Sequence, residues 1–138
     1  MKFSSGFIAL VGPPNVGKST LLNRILARKV AIVSPKPQTT RNRITGIYNE
    51  PGCQMVFMDT AAIPNTHTPL HRSMVSSAQS VFGEVDLLVL LMDMFGPQVP
   101  EISMILGSIR KSKKPSILAI NKIDKGPKEN LLPIIAKY

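Results

Sequence analysis

Residues 12–19 read Gly-Pro-Pro-Asn-Val-Gly-Lys-Ser, and they directly follow an apolar run from Phe7 to Val11. A G-x-x-x-x-G-K-S pattern between a predicted strand and a predicted helix is typical of a phosphate-binding loop. The two glycines let the backbone of such a loop turn tightly and approach the ligand closely. Its N–H groups then converge on a phosphate at the positive end of the helix dipole. The pattern therefore predicts that the chain binds the phosphates of a nucleotide.

Several side chains are expected to act on the phosphates and on Mg²⁺. Lys18 brings a positive charge to the β- and γ-phosphate oxygens, and the Ser19 hydroxyl can bind Mg²⁺. Asp59 follows an apolar strand, where its carboxylate can reach Mg²⁺ through a water. Thr39 and Thr40 lie in the predicted loop between the first helix and the second strand. Thr40 can bind the metal ion when a γ-phosphate draws this loop inward. The alternatives are a helix cap or turn role for Asp59 and a solvated loop for the threonines.

A second motif, Asn-Lys-Ile-Asp at residues 121–124, follows the apolar run 116–120 and indicates which base is bound. The Asp124 carboxylate can accept hydrogen bonds from N1–H and the N2 amino group of guanine. Adenine has no donor at N1, and a polar group left unpaired costs about 1–3 kcal/mol. Asn121 is expected to connect two loops and touch the base edge, and the Lys122 stem to lie along the base. The motif therefore favours GTP or GDP over ATP.

Strand and helix patterns alternate along the chain, which predicts a three-layer α/β fold with a mostly parallel sheet. Strands are expected at residues 7–11, 44–48, 54–58, 87–92 and 116–120, and helices at 18–29, 74–82, 102–109 and 128–137. The strands at 44–48 and 54–58 form a predicted hairpin across the turn at 50–52. Ligand loops at the carboxyl ends of parallel strands meet at one edge of such a sheet.

The composition is strongly basic, with 17 Lys and Arg against 8 Asp and Glu and a formal net charge of +9 over 138 residues. This charge suits a polyanionic partner such as RNA, and the alternative is a surface that is basic for solubility. The single cysteine, Cys53, is expected to be buried in a strand and fits a reducing cytosol. No apolar run is long enough to span a membrane, and no secretory signal begins the chain. The sequence therefore predicts a cytoplasmic protein of one domain.

The motifs together resemble the GTPase domain of the Era family, within the Era, TrmE and Der class of P-loop GTPases. The resemblance is carried by four segments, at residues 12–20, 37–44, 59–60 and 121–124. Gly6-Phe7-Ile8-Ala9 and Gln38-Thr39-Thr40-Arg41 are the features that separate Era from its relatives. The resemblance implies a Ras-like G domain over residues 1–138 that hydrolyses GTP. It also implies binding of 16S ribosomal RNA, maturation of the small ribosomal subunit, and peripheral association with the inner face of the cell membrane.

The expected site follows from the motifs and this resemblance. The nucleotide-binding residues are Gly12, Pro13, Pro14, Asn15, Val16, Gly17, Lys18, Ser19, Thr20, Asp59, Ala62, Asn121, Lys122 and Asp124. The Mg²⁺ ligands are Ser19, Thr40 and Asp59. The catalytic residues are Lys18, Thr40 and Asn15, the last because related GTPases use an asparagine at this loop position to hold K⁺ beside the phosphates.

The chain departs from the family pattern at residues 59–62. The family has Asp-Thr-Pro-Gly there, and this chain has Asp-Thr-Ala-Ala. Ala62 keeps the N–H that would meet the γ-phosphate, but it resists a positive φ and adds a methyl group. We therefore expect nucleotide and Mg²⁺ binding to survive while the GTP-driven switch and hydrolysis are impaired. The alternative function is a switch-impaired nucleotide-binding domain with little or no hydrolysis.

A further departure concerns the end of the chain. The resemblance places the last strand, the last helix and an RNA-binding KH domain of the family beyond Tyr138. The fold is therefore expected to lack that strand and helix. An uncovered neighbouring strand would then favour self-association through its exposed edge.

Overall fold

A computed structural model describes residues 2–13, 15–26, 44–59, 81–95 and 99–138, and the statements below concern these residues. The strands are β1 (Ser4–Val11), β2 (Ile44–Glu50), β3 (Cys53–Asp59), β4 (Leu87–Asp93) and β5 (Ser116–Asn121). The helices are α1 (Lys18–Leu26), α2 (Val99–Ser112) and α3 (Leu131–Lys137), with 3₁₀ turns at Ile123–Lys125 and Lys128–Asn130. Residues 81–84 are also helical.

The strands form one sheet in the order β2-β3-β1-β4-β5. β3, β1, β4 and β5 run parallel, and β2 pairs antiparallel with β3 through the predicted hairpin. In the register, Leu10 of β1 lies beside Asp59 of β3, and Asp93 of β4 lies beside Asn121 of β5. The carboxyl ends of the four parallel strands therefore meet at one edge of the sheet. The predicted α/β fold with a mostly parallel sheet is confirmed.

Alternation along β1 places apolar side chains on both faces of the sheet, as expected for a central strand. Ile8 and Leu10 belong to a cluster on the face covered by α1, together with Leu26 and Phe57. Ala9 belongs to the larger cluster on the other face. That cluster is completed by Val11, Met58, Phe82, Val85, Leu88, Leu90, Met92, Ile102, Ile105 and Ile109. Two apolar clusters on opposite faces of one sheet account for the three layers.

Two expectations about local structure were wrong in detail. Residues 128–130 form a 3₁₀ turn, and the α-helix predicted from 128 begins only at Leu131. Pro133 explains the difference. In the interior of an α-helix the proline ring would clash with the carbonyl group of the residue four positions earlier, but a proline is tolerated in the first turn. Cys53 is half-buried, because it begins β3 directly after the exposed turn. The predicted helix at 74–82 lies mostly outside the described residues.

β5 forms the outer strand of the sheet in the part of the chain that the structure describes. No side chain of β5 is fully buried, and Ile117 is 52% exposed. The apolar side chains Leu132 and Ile135 of α3 are also exposed. Across the described ranges, no helix has both the length and the apolar character needed to cross a membrane.

Candidate nucleotide-binding site

Gly12 and Gly17 lie in the loop between β1 and α1, and at each position a neighbouring group leaves no space for a side chain. Gly12 has a φ of 157°, and a Cβ there would overlap the backbone carbonyl oxygen of Leu91 in β4. Gly17 has a φ of 102°, and a Cβ there would overlap the side-chain amide of Asn121. A larger residue at Gly12 would displace backbone of the buried strand β4. The loop is therefore seated directly against β4 and against the base motif.

Lys18 begins α1 and closes back over the loop. Its Nζ donates hydrogen bonds to the carbonyl oxygens of Gly12 and Pro13, both at 2.7 Å. The first turn of α1 contains no acidic residue, so its positive end is not neutralised from within the helix. The next two residues, Ser19 and Thr20, are exposed. An ammonium group, a helix N-terminus and a hydroxyl thus share the loop end at which an anion can bind.

Asn121 connects the base motif to the loop. Its Nδ2 donates a hydrogen bond to the Val16 carbonyl oxygen at 2.8 Å, across 105 residues of sequence. The backbone carbonyl oxygen of Asn121 accepts a hydrogen bond from the Met94 N–H at 3.1 Å, which connects Asn121 to the turn after β4. Buried Val16 is 5% exposed, so its carbonyl depends on this partner more than an exposed group would.

Lys122 makes a second connection to the same loop. Its Nζ donates a hydrogen bond to the Asn15 carbonyl oxygen at 2.7 Å and lies 3.5 Å from Oδ2 of Asp93. Lys122 and Asn15 both adopt left-handed backbone conformations, with φ values of 58° and 63°. Asparagine tolerates this conformation well, whereas lysine adopts it only where its surroundings hold it.

Asp124 lies in the 3₁₀ turn Ile123–Lys125, which the Lys125 N–H closes onto the Lys122 carbonyl oxygen at 3.1 Å. Its side chain is exposed and accepts no hydrogen bond from the residues that the structure describes. The carboxylate is therefore open to a ligand that brings its own donors. It stands three residues after Asn121, which ends β5 at the edge of the sheet that carries the loop.

The other predicted site residues divide into two groups. Asp59 ends β3 beside Leu10 of β1, so its backbone lies at the edge of the sheet that carries the loop. Pro14, Thr40 and Ala62 lie outside the described residues. Among those that are described, no group of three or more His, Cys, Asp or Glu side chains could hold a metal ion.

Asp93 is a residue at this site that the motifs did not indicate. Besides its contact with Lys122, its Oδ1 accepts a hydrogen bond from the Phe95 N–H at 3.1 Å. One sequence signal pointed to it, because an acidic residue follows the apolar run 87–92 directly. In open α/β sheets, residues in that position lie where ligands bind.

The fold and the site together define the class of a P-loop GTPase domain. A phosphate-binding loop between the central strand and its helix is joined by two hydrogen bonds to a base motif suited to guanine. A sequence model of the family described as 50S ribosome-binding GTPase matches residues 7–122. The chain therefore belongs to this family of GTPases.

Among curated proteins, the chain is similar to GTPase Era from several bacteria. It is 50% identical over 137 residues to the protein of Geotalea uraniireducens, covering 99% of this chain and 46% of that protein. It is 45% identical over 134 residues to the protein of Lacticaseibacillus paracasei, covering 97% and 45%. The chain thus spans about half the length of the curated relatives it matches, and the predicted resemblance to the Era GTPase domain is confirmed.

Solved structures lead to the same domain. A variant of Era from Aquifex aeolicus bound to GDP·AlF₄⁻ is 42% identical, with a TM-score of 0.74 over 99% of this chain and 46% of that one. Era in complex with MgGDPNP and nucleotides 1506–1542 of 16S ribosomal RNA is 41% identical, with a TM-score of 0.75 over 98% and 46%. Both structures support the same α/β architecture for this chain.

Proposed function

We propose that this chain binds GDP and GTP together with Mg²⁺ and that it hydrolyses GTP. The observation that carries the proposal is the hydrogen bond from Asn121 to the Val16 carbonyl oxygen at 2.8 Å. This bond holds the base motif against the phosphate-binding loop, so one bound molecule can reach both. A nucleotide, which has a base at one end and a phosphate chain at the other, is the kind of ligand that spans them.

The recognition of guanine follows from the chemistry of Asp124. Its exposed carboxylate accepts hydrogen bonds from N1–H and the 2-amino group of guanine. Inosine diphosphate lacks the 2-amino group and loses one of these bonds, which weakens binding by about tenfold. ADP also lacks the N1 donor, so its binding leaves the carboxylate without a partner.

At the phosphate end, Lys18 supplies the positive charge and the loop supplies backbone N–H donors. An incoming β-phosphate competes for the Lys18 ammonium that now bonds the Gly12 and Pro13 carbonyl oxygens. Because hydrogen bonds to a charged partner are stronger, the phosphate is favoured.

The residues present fit Mg²⁺, which takes few protein oxygens and keeps several waters. Ser19 lies in the first turn of α1, directly after Lys18, and its side chain is exposed. β3 ends at Asp59 at the same edge of the sheet. Ser19, Asp59 and Thr40 are the residues that would hold the ion, which neutralises charge on the β- and γ-phosphates when bound. The assignment of Ser19, Asp59 and Thr40 as Mg²⁺ ligands stays a prediction.

Hydrolysis needs a group that orients the attacking water, and the sequence offers no glutamine for it. Ile63 stands where Ras-like enzymes have that glutamine, so we expect slow unstimulated turnover, on the order of 10⁻⁴ s⁻¹ or less. We further propose that the Asn15 side chain helps to hold K⁺ beside the phosphates. Faster turnover in KCl than in NaCl is expected, and equal rates would contradict the K⁺ site.

A second candidate function is nucleotide binding without useful hydrolysis. It is favoured by Ala62, where the family has glycine, because a Cβ restricts the backbone that must swing toward the γ-phosphate. Single-turnover hydrolysis by the natural chain and by Ala62→Gly separates the two candidates. A gain of tenfold or more for Ala62→Gly, or no detectable hydrolysis by either protein, supports the second candidate. Equal, measurable rates support the first.

Calorimetric titration of the 138-residue chain with GDP and Mg²⁺ tests the central proposal. We expect micromolar or tighter binding of GDP, about tenfold weaker binding of inosine diphosphate and no detectable binding of ADP. Equal binding of GDP and ADP would contradict guanine specificity. Absence of binding by all three would contradict a preformed site.

The wider role is also a proposal, since the relatives are about twice as long. The chain would serve as a G domain over residues 1–138 of an Era-type protein that acts on 16S ribosomal RNA and the small ribosomal subunit in the cytoplasm. The net charge of +9 and the RNA complex of the similar Era structure support this role. Salt-dependent retention of this chain by 16S RNA, persisting to higher salt than retention by heparin at matched charge, is the expected result.

Two finer predictions from the sequence belong with this role. Peripheral membrane association is tested by flotation with vesicles containing anionic lipid, in which the chain should float with the lipid. Self-association through β5 is suggested by the 52% exposure of Ile117 on an outer strand. Sedimentation velocity across a concentration series should then show a dimer at high concentration, and a monomer throughout would contradict it.

A further inference from the structure

Asp93, at the carboxyl end of β4, makes two separate contacts at the rim of the site. Oδ1 accepts the hydrogen bond from the Phe95 N–H at 3.1 Å, and Oδ2 lies 3.5 Å from the Lys122 Nζ. The Asp93 side chain is 22% exposed and that of Lys122 is 30% exposed. A pair withdrawn from water to this extent is screened less by salt than a surface pair.

Lys122 is the residue through which Asp93 can act on the site. The same ammonium that faces Asp93 also donates to the Asn15 carbonyl oxygen at 2.7 Å. The left-handed backbone of Lys122 is unfavourable for a lysine, so it persists only where such contacts hold it. The carboxylate fixes the ammonium from the β4 side, and the loop carbonyl fixes it from the other side.

We propose that Asp93 is a positioning residue for guanine-nucleotide binding, acting through Lys122. It keeps the Lys122 stem in one orientation beside the base and keeps the phosphate-binding loop closed against the base motif. Asp93 does this without contacting the nucleotide. The inference rests on the proposed function, because it concerns the same site.

The competing explanation is that Asp93 only shapes the turn after β4 through its bond to the Phe95 N–H. Asp93→Asn separates the two roles, because an asparagine keeps an oxygen acceptor for that N–H and loses the negative charge. Asp86→Asn is the matched control. The Oδ2 of Asp86 accepts a hydrogen bond from the Phe7 N–H at 2.7 Å, just before β4 begins and at the opposite edge of the sheet.

The experiment measures dissociation of fluorescent mant-GDP, with Mg²⁺, from the 138-residue chain. Four proteins form a double-mutant cycle: wild type, Asp93→Asn, Lys122→Met and the double variant. We expect Asp93→Asn to speed dissociation about two- to fivefold, the range for a partly exposed ion pair. In the Lys122→Met background the same change should alter the rate by less than about 1.5-fold. Asp86→Asn should leave the rate unchanged.

The outcomes distinguish this inference from the proposed function. An equal acceleration by Asp93→Asn in both backgrounds would show a structural role and overturn the inference. So would an unchanged rate for Asp93→Asn in a chain whose wild type binds mant-GDP. Wild type that does not bind mant-GDP would overturn the proposed function and the inference together. Thermal melts of the nucleotide-free variants check that Asp93→Asn remains folded.

Discussion

β4 and β5 are neighbouring parallel strands that end side by side at the nucleotide site, with Asp93 opposite Asn121. They are held in place by different forces. Four of the seven side chains of β4 are buried, including Leu88 and Met92 at 0% exposure, whereas none of β5 is. The base motif after β5 is instead joined to the loop by hydrogen bonds from Asn121 and Lys122.

This difference teaches where the site is robust and where it is sensitive. The phosphate-binding half rests on the packed centre of the sheet, because Gly12 lies against the backbone of β4. The base-binding half rests on a few polar contacts at the outer strand. Changes in the first half should therefore damage the fold as well as binding, and changes in the second half should weaken binding at a smaller cost to the fold.

The largest effect is expected from Gly12→Ala. The added Cβ would overlap the Leu91 carbonyl oxygen, so either β4 or the loop must move. We expect a loss of roughly 3 kcal/mol or more in the free energy of unfolding and no detectable GDP binding. Urea unfolding and calorimetry measure the two effects.

Gly107→Ala is the matched control for this change. A Cβ at Gly107 meets no atom within 4 Å, and the residue lies inside α2. Alanine there should raise stability by about 0.5–1 kcal/mol and leave GDP binding unchanged. Equal stability of the two variants would contradict the seating of the loop against β4.

Lys18→Met should have the next largest effect, and on binding more than on folding. The variant loses the ammonium that bonds two loop carbonyl oxygens and is proposed to meet the phosphates. We expect GDP affinity to fall by about 3 kcal/mol, roughly 100-fold, by titration calorimetry. Lys111→Met, which removes an exposed lysine of α2, should leave the affinity unchanged. A loss below about threefold for Lys18→Met would argue against its role.

Asn121→Ala probes the polar contacts of the outer strand. It removes the hydrogen bond to the Val16 carbonyl oxygen, and a lost bond of this kind costs about 1–2 kcal/mol. GDP affinity should therefore fall about tenfold, and the free energy of unfolding should fall by about the same 1–2 kcal/mol, less than for Gly12→Ala. Asn130→Ala is the control, since the side chain of Asn130 makes no capping hydrogen bond at α3. A large loss of stability for Asn121→Ala would mean that the two halves are not held differently.

Ile117→Lys should have the smallest effect. Ile117 is 52% exposed on β5, so a charged side chain there remains in water. We expect the free energy of unfolding to change by less than about 0.5 kcal/mol and GDP affinity to stay the same. A loss above about 1 kcal/mol, measured by urea unfolding, would show that β5 is packed more like β4.

The sequence was sufficient to predict the parts of the molecule that depend on local pattern. The motif at 12–19 and the apolar runs predicted the loop, β4 and the succession of strands and helices along the chain, because burial on both faces leaves a continuous apolar run. The hairpin was predicted for the same kind of reason, since the turn signal at 50–52 stands between two short segments rich in strand-forming residues. The start of α3 was not, because one proline overrode the helical period.

The contacts between distant segments could not be predicted in this way. The bonds from Asn121 to Val16 and from Lys122 to Asn15 join residues 105 and 107 positions apart. They depend on the register of β4 and β5 and on left-handed conformations at Asn15 and Lys122. Asp93 was missed because its contact with Lys122 depends on the register of two strands. No fixed spacing in the sequence indicates that contact.

Both bonds from the base motif to the loop end on main-chain carbonyl oxygens, those of Asn15 and Val16. A carbonyl oxygen is present whatever side chain stands at that position. The loop can therefore be redesigned at residue 15 without cutting its attachment, provided that the new residue accepts a positive φ. Glycine satisfies that condition. Asn15→Gly thus offers a variant that removes the side chain proposed to hold K⁺ while the attachment of the loop to Lys122 is retained.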